Sequence, residues 1–343
     1  MFELKGSKIT RYVDVLGTLL FGGFVAVAAW ASLVPNLDLQ ALVDDSGAVV
    51  VGQVVAVTAQ GRTVAGTQSV SGTLMQADLR VEKTLKGRPG RQRLTFQFFF
   101  PDAPMAYRRI PKGQFGVFFL RKSAGGYEVA NSYYPFVVAC PASPPAEGSI
   151  PEQVVAEVAY VLRCANASSE SRQAAVYTLR AVRTAASTAA LKVAARDPNM
   201  RVRCSALATM LRRNDISLLP EAQAILLHPP PSADPNCVDS IAYGIRDGVR
   251  DARAIRLLEP LLHASNVRAR RAAAAALRAT GDPSAIGPLT EALWDTDLDV
   301  RYYAVVGLGE ITGQNEWTPA VDYFAQNEQK FLTHWREWAK SHR

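Results

Sequence analysis

A nine-residue segment recurs five times in the second half of this chain, and no other feature constrains the fold as much. Ser171–Leu179, Val202–Met210, Cys237–Ile245, Ala269–Leu277 and Val300–Leu308 align, and their last residues fall 31, 35, 32 and 31 residues apart. Self-similarity at such a period is the signature of a solenoid, in which each unit buries its apolar face only against its neighbours. A second pattern lies between the blocks. Asp251–Leu262 matches Asp282–Leu293, each with an Asp placed to cap a helix start and with Ile, Leu and Leu at helical spacing. Small residues at 272–276 and 304–307 suit close helix packing. The 35-residue interval contains an insertion, His228–Pro235, rich in Pro.

This register resembles the HEAT-like repeat family, in particular the short alanine-rich type first described around phycobilisome lyases. The resemblance spans about 150–343 and implies an α-solenoid of helical hairpins. It is specific for fold and nearly silent on function.

Residues 48–139 read as β-structure. Leu94, Phe96, Phe98 and Phe100 alternate with other residues, as do Met75, Ala77, Leu79 and Val81, the period of a half-buried strand. Ala48–Val57 and Phe115–Leu120 are β-rich apolar runs, and Lys86–Gly90 and Gly125-Gly126 supply turns. About five strands suggest a small closed or partly open barrel. The segments Val49–Val55, Ala77–Gly87 and Gly116–Arg121 resemble the oligonucleotide/oligosaccharide-binding (OB) barrel of netrin-like and metalloproteinase-inhibitor-like secreted modules. In the inhibitors a free N-terminal Cys chelates zinc. Here no Cys precedes Cys140, so the resemblance implies the barrel alone.

The chain opens with Lys5, Lys8 and Arg11, then an uncharged stretch from Val15 to Val34 containing Ala29-Trp30-Ala31. This is the anatomy of a secretory signal peptide. The same stretch can also span a bilayer as an uncleaved anchor, or form a buried core helix. The first two readings place the remainder in the periplasm, outside the cell, or tethered to the membrane. The expected fold class is therefore multi-domain α and β: a signal or anchor helix over 1–31, an OB-like β-barrel over 45–140, a Pro-rich linker over 141–149, and a HEAT-like α-solenoid with a C-terminal capping helix over 150–343.

The formal net charge is +7, but most of it lies in the first half. Residues 151–343 hold 23 Lys and Arg against 21 Asp and Glu. A nucleic-acid footprint needs a concentrated basic face, so no nucleic-acid partner is expected. Two local clusters are candidates. Lys83, Lys86, Arg88, Arg91 and Arg93 surround one hairpin of the β-domain and form a possible patch for an anionic ligand, such as a glycan or lipid. Arg172, Arg203, Arg270, Arg271 and Arg301 recur at block starts. They form either a solvated ridge paired with neighbouring Asp or a strip for binding a partner. Phe331, Trp335 and Trp338 share one helix face, as a cap for the last repeat or as an exposed anchor.

Four cysteines, Cys140, Cys164, Cys204 and Cys237, allow three disulfide connectivities or none. Cys140 and Cys164 flank the linker and can staple the two domains, whereas Cys204 and Cys237 fall on adjacent repeats. The four His lack ligand spacing, and no nucleophile elbow is present. The alternating Asp295, Asp297 and Asp299 lack the glycine and distal Glu of a calcium loop and suit helix capping. No catalytic set, metal or cofactor is expected. The sequence points to an exported, non-enzymatic module that binds a protein partner, with membrane contact only through an uncleaved N-terminus. Two alternatives are a lyase-like enzyme or chaperone acting on a chromophore-bearing protein, and a binder of nucleic acid or anionic glycan.

Overall fold

A computed structural model describes residues 36–65, 70–89, 92–102 and 108–342. The expected signal or anchor segment lies outside the described residues.

The N-terminal part is a β-sheet domain. A short helix α1 (Leu39–Asp44) precedes strands β1 (Ala48–Ala65), β2 (Val70–Lys86), β3 (Arg93–Pro101), β4 (Phe115–Ser123), β5 (Gly126–Val129) and β6 (Phe136–Val138). β1 pairs antiparallel with both β2 and β4, β2 with β3, and β4 with both β5 and β6. β3 and β5 are parallel and joined by only two residue pairs, Phe96 with Tyr127 and Gln97 with Glu128. That seam is too short to close the sheet along its length into a barrel.

β1 and β4 explain why their sequences are apolar at nearly every position. Val50, Val54, Phe118 and Leu120 face the sheet's own core, beside Ala77, Leu79, Phe96 and Phe98. Their neighbours Val49, Val51, Val117 and Phe119 face the other way, into a cluster that continues through Val154, Val158, Val176 and Leu179 into the helical part. Covering both faces removes the alternation that a half-exposed strand shows. The β-domain and the first helices thus share one core.

The helical part contains five hairpins. The first helices are α2 (Ile150–Val161), α4 (Ala185–Ala194), α6 (Leu219–Leu227), α8 (Ile255–Leu258) and α10 (Ile286–Ala292). The second helices are α3 (Ser169–Arg180), α5 (Met200–Arg212), α7 (Pro235–Gly248), α9 (Val267–Thr280) and α11 (Leu298–Thr312). The second helices carry the aligned blocks and stack in order from α3 to α11. Their starts are capped by Ser168, Asn199, Asp234, Asn266 and Asp297, whose side chains accept backbone N–H groups of the first turn, satisfying donors that the helix itself leaves unpaired. Small residues let the stack close. A Cβ added at Gly244 would meet Ala208 Cα at 2.8 Å, and one at Gly248 would meet the Leu211 carbonyl oxygen at 2.1 Å. Helix α7 can approach α5 this closely only with glycine at those positions.

Helix α12 (Val321–Ser341) closes the far end. Trp335 is fully buried and Phe331 nearly so, together with Phe324 and Leu332, while Trp338 is half-buried. Phe331, Trp335 and Trp338 therefore seal the last repeat, and two of the three expose almost no surface to a partner. Arg336 stacks on the exposed Trp294 ring at 3.8 Å and donates to the Leu293 carbonyl, tying α12 to the preceding hairpin.

The Pro-rich segment 141–149 forms no helix or strand, yet it packs as a strap rather than as a free spacer. Ser143 is buried and donates to Glu157 at 2.5 Å. Lys83, on β2, bonds the Ser143 carbonyl oxygen and hydroxyl at 2.5 and 2.6 Å and Glu157 at 2.9 Å. Glu157, on α2, is 2% exposed. One buried carboxylate thus joins the sheet, the strap and the solenoid, and the Cys140–Cys164 disulfide spans the same junction.

Removing Lys83 leaves the Glu157 charge buried with its main partner gone. Lys83→Met is expected to cost about 3 kcal/mol, and pairing it with Glu157→Leu is expected to recover most of that loss. Urea denaturation followed by circular dichroism checks both. A double variant no more stable than Lys83→Met refutes this account of the junction.

Candidate protein-binding face

Two of the repeat steps, α3 to α5 and α9 to α11, are fixed by arginines at the starts of the second helices. Arg172 holds Asp197 with two bonds, at 2.6 and 3.0 Å, and donates to the Ala167 carbonyl at 2.7 Å. Arg270 repeats this on Asp295, at 2.8 and 3.2 Å, with a bond to the Ala264 carbonyl at 3.1 Å. Arg203 and Arg301 donate to the backbone carbonyls of those same aspartates, at 3.0 and 2.7 Å. Arg301 also pairs with Glu328 of α12, and Arg271 with Asp297 and Asp299. A planar guanidinium meets carboxylate and carbonyl together in a way that an ammonium does not. Of the five arginines singled out as a ridge, Arg172, Arg270 and Arg271 thus reach the next hairpin and Arg301 reaches α12, while Arg203 is bonded within its own hairpin; all five are engaged with the fold, although Arg271 stays 41% exposed.

The clamp is missing at the two middle steps. From α7 to α9, Val238 occupies the aligned arginine position; from α5 to α7, the position that corresponds to Asp197 and Asp295 falls at His228, in the inserted loop. There the Cys204–Cys237 disulfide links α5 to α7 directly, with Cα atoms 5.3 Å apart. Arg268 pairs with Asp239 to join α9 to α7.

The hairpin patch of the β-domain divides. Lys83 is engaged in the junction. Lys86 donates to the Val43 carbonyl at 2.6 Å, holding α1 against the sheet. Arg88 and Arg93 are exposed, and Arg91 lies outside the described residues. The structure thus leaves two of the four described cations facing solvent.

A different set of arginines is displayed. Arg180, Arg212, Arg246 and Arg278 lie at the other ends of α3, α5, α7 and α9, spaced 32, 34 and 32 residues apart. Arg180 stacks on Tyr177 at 4.7 Å and Arg246 on Tyr243 at 4.8 Å. These tyrosines are 61% and 40% exposed, unlike most large apolar side chains of the repeats. Arg212 lies 3.9 Å from Asp247, which Arg246 holds at 2.8 Å. Arg278 pairs with Glu310 at 2.6 Å. Burial, with repulsion from Arg180 and Arg246 and against the attraction of Asp247, pulls the Arg212 guanidinium below its ordinary value. Beside it lies a cavity of about 560 Å³ lined by Arg246, Asp247, Arg250, Arg278, Tyr303 and Glu310, among others. The result is a continuous strip of Arg and Tyr crossing four repeats. Its signal in the sequence was the period of Arg at the block ends, the same kind of signal that drew attention to the block starts.

Among the described residues, no group of three or more His, Cys, Asp or Glu side chains is placed to hold a metal ion, and no helix is long and apolar enough to cross a membrane. His334 stacks on Trp317 at 3.6 Å. Asp297 caps α11 by accepting from the backbone N–H groups of Asp299 and Val300.

Residues 219–309 match the family described as HEAT repeats. That stretch runs from the start of α6 into α11 and takes in three of the five second helices. The helical region carries HEAT repeats over that stretch. No curated protein matches the chain.

The clamps predict a response to acid. Burial pushes the Asp297 carboxyl up, but the bonds from Arg271 and from the Val300 and Asp299 backbone outweigh it and hold the carboxyl below the usual range. A depressed carboxylate stabilises the fold fully above its unfolded value, about 3.9, and that stabilisation is lost as pH falls through the lower folded value. Asp297→Asn is therefore expected to lower the melting temperature at pH 7. The gap from the unsubstituted protein is expected to narrow below about pH 4, as measured by thermal melts across that range. A gap independent of pH argues against the assignment.

Proposed function

We propose that this chain is an exported, non-enzymatic scaffold whose solenoid binds a partner protein. The observation that carries the reading is the Arg and Tyr strip crossing α3, α5, α7 and α9. Tyrosine and arginine are the residue types that dominate the energetics of protein interfaces, and here they stand exposed on a framework held rigid by buried clamps. HEAT repeats commonly serve protein–protein interaction, which agrees with this reading.

Two further points concern the setting. Both cysteine pairs are bonded, Cys140 with Cys164 and Cys204 with Cys237, and structural disulfides persist in oxidising compartments. Together with the basic and then uncharged start of the sequence, this supports export to the periplasm or beyond. The β-domain is read as an OB-type module. Its support is the strand pairing, with β1 bonded to both β2 and β4 and with β3 and β5 parallel.

Two measurements test the reading. An alkaline phosphatase fused after about residue 45 is expected to be active, and an inactive fusion refutes export. A photo-crosslinking side chain placed at Tyr243 is expected to capture one defined protein from an envelope extract, while the same group at exposed Lys122 is not. Equal yields at the two positions speak against the strip as the binding face.

A further inference from the structure

We propose that the strip binds an extended, acidic segment of the partner, with carboxylates recurring at every third residue. The inference rests on the reading that the solenoid binds a protein, and it names the chemistry of what is bound.

The spacing comes from the stack. One arginine of the set stands on each of four successive second helices, at Arg180, Arg212, Arg246 and Arg278. Packed helices lie roughly 8–10 Å apart. A chain in the extended polyproline II conformation advances about 3.1 Å per residue with three residues per turn, so it travels about three residues per repeat and returns every third side chain to the same face. A carboxylate at each third position meets one guanidinium per step, in a charge-assisted and often bidentate bond. Tyr177 and Tyr243 hold their arginines by cation–π contact and offer exposed ring faces to the residues between the carboxylates.

The charges select the occupant. The four arginines of the strip, with Arg250 beside them in the cavity lining, outnumber the two carboxylates, Asp247 and Glu310. Arg278 is already paired with Glu310 and Arg246 with Asp247. Arg180 is paired with neither carboxylate and Arg212 meets Asp247 only at 3.9 Å, and Arg212 is crowded by both neighbouring arginines. An incoming carboxylate relieves that repulsion. The two fixed carboxylates disfavour a nucleic-acid backbone, whose charge is unbroken, and suit a peptide whose acidic groups are spaced.

The test uses the full chain and labelled short peptides in fluorescence anisotropy at low salt. One peptide carries four glutamates at every third position. A second has the same composition with the glutamates contiguous, and a third probe is a single-stranded oligonucleotide of similar charge. The spaced peptide is expected to bind most tightly. Arg180→Glu with Arg212→Glu is expected to weaken it about tenfold or more, which is about 1.4 kcal/mol or more. Lys122→Glu, at an exposed position on β4, is expected to leave it unchanged. The pair Arg180→Gln and Arg212→Gln is expected to give a smaller loss in the same direction, so the test survives if charge reversal impairs folding by circular dichroism. Equal binding of the contiguous peptide or the oligonucleotide overturns the proposal, as does an unchanged affinity in both arginine pairs. If crosslinking from Tyr243 captures a protein but the spaced peptide does not bind, the scaffold reading stands and the acidic segment falls.

Discussion

The architecture depends on how one hairpin is fixed against the next. A helical hairpin exposes an apolar face that only a neighbour can cover. Apolar contact is not directional, so it does not by itself set the angle or the offset between units. Here direction comes from guanidinium groups. Arg172 and Arg270 each reach a carboxylate in the following turn and a carbonyl in their own, and Arg203 and Arg301 return to the same two turns from the other side. Asp197 and Asp295 are thereby grasped from two successive second helices. Arg213 adds a comparable contact deeper in the stack, donating to the Leu179 and Val182 carbonyls at 2.7 and 2.8 Å. With the register fixed in this way, the arginines at the opposite helix ends are brought into line at one per repeat. The displayed strip follows from the stacking that the clamps, the Cys204–Cys237 bond and the Arg268–Asp239 pair fix together.

Both ends of the stack are closed, by different means. At the far end α12 lays Phe331 and Trp335 over the last hairpin, a helical cap of the kind solenoids require. At the near end the β-domain does this work. Val49, Val51, Val117 and Phe119 present an apolar sheet face to the first helices, and the Lys83, Ser143 and Glu157 cluster fixes the angle of approach. The β-domain is therefore a structural terminus of the solenoid as well as a module of its own.

The repeat register was legible in the sequence because it is local. Each block sits on one helix, and the spacings of 31 to 35 residues follow from hairpin length. The strands were legible where one face is exposed, as in Leu94–Phe100. The double burial of β1 and β4 was visible only as apolar runs, whose cause lay about a hundred residues downstream. The site was harder. Arg172 and Arg180 lie two turns apart on one helix, and nothing in their immediate neighbourhood shows that one is engaged and the other displayed. That difference depends on where Asp197 arrives from the next repeat. Lys83 and Lys86 belonged to a basic cluster by composition, but Glu157 and the Val43 carbonyl, distant in sequence, absorb them.

The step from α5 to α7 stands apart from the others. The clamp is absent there, Gly244 and Gly248 let the two backbones nearly touch, and the Cys204–Cys237 bond crosses the contact. That bond encloses α6 and the whole inserted loop 228–234 within one covalent ring. A protease that cuts the loop, the natural place for a nick, therefore opens the ring without separating its two sides. The fragments stay joined on a non-reducing gel, and the second helices on either side keep their alignment. The longest interruption in the repeat pattern is thus a place within the stack where the chain can be broken while the Arg and Tyr strip remains continuous.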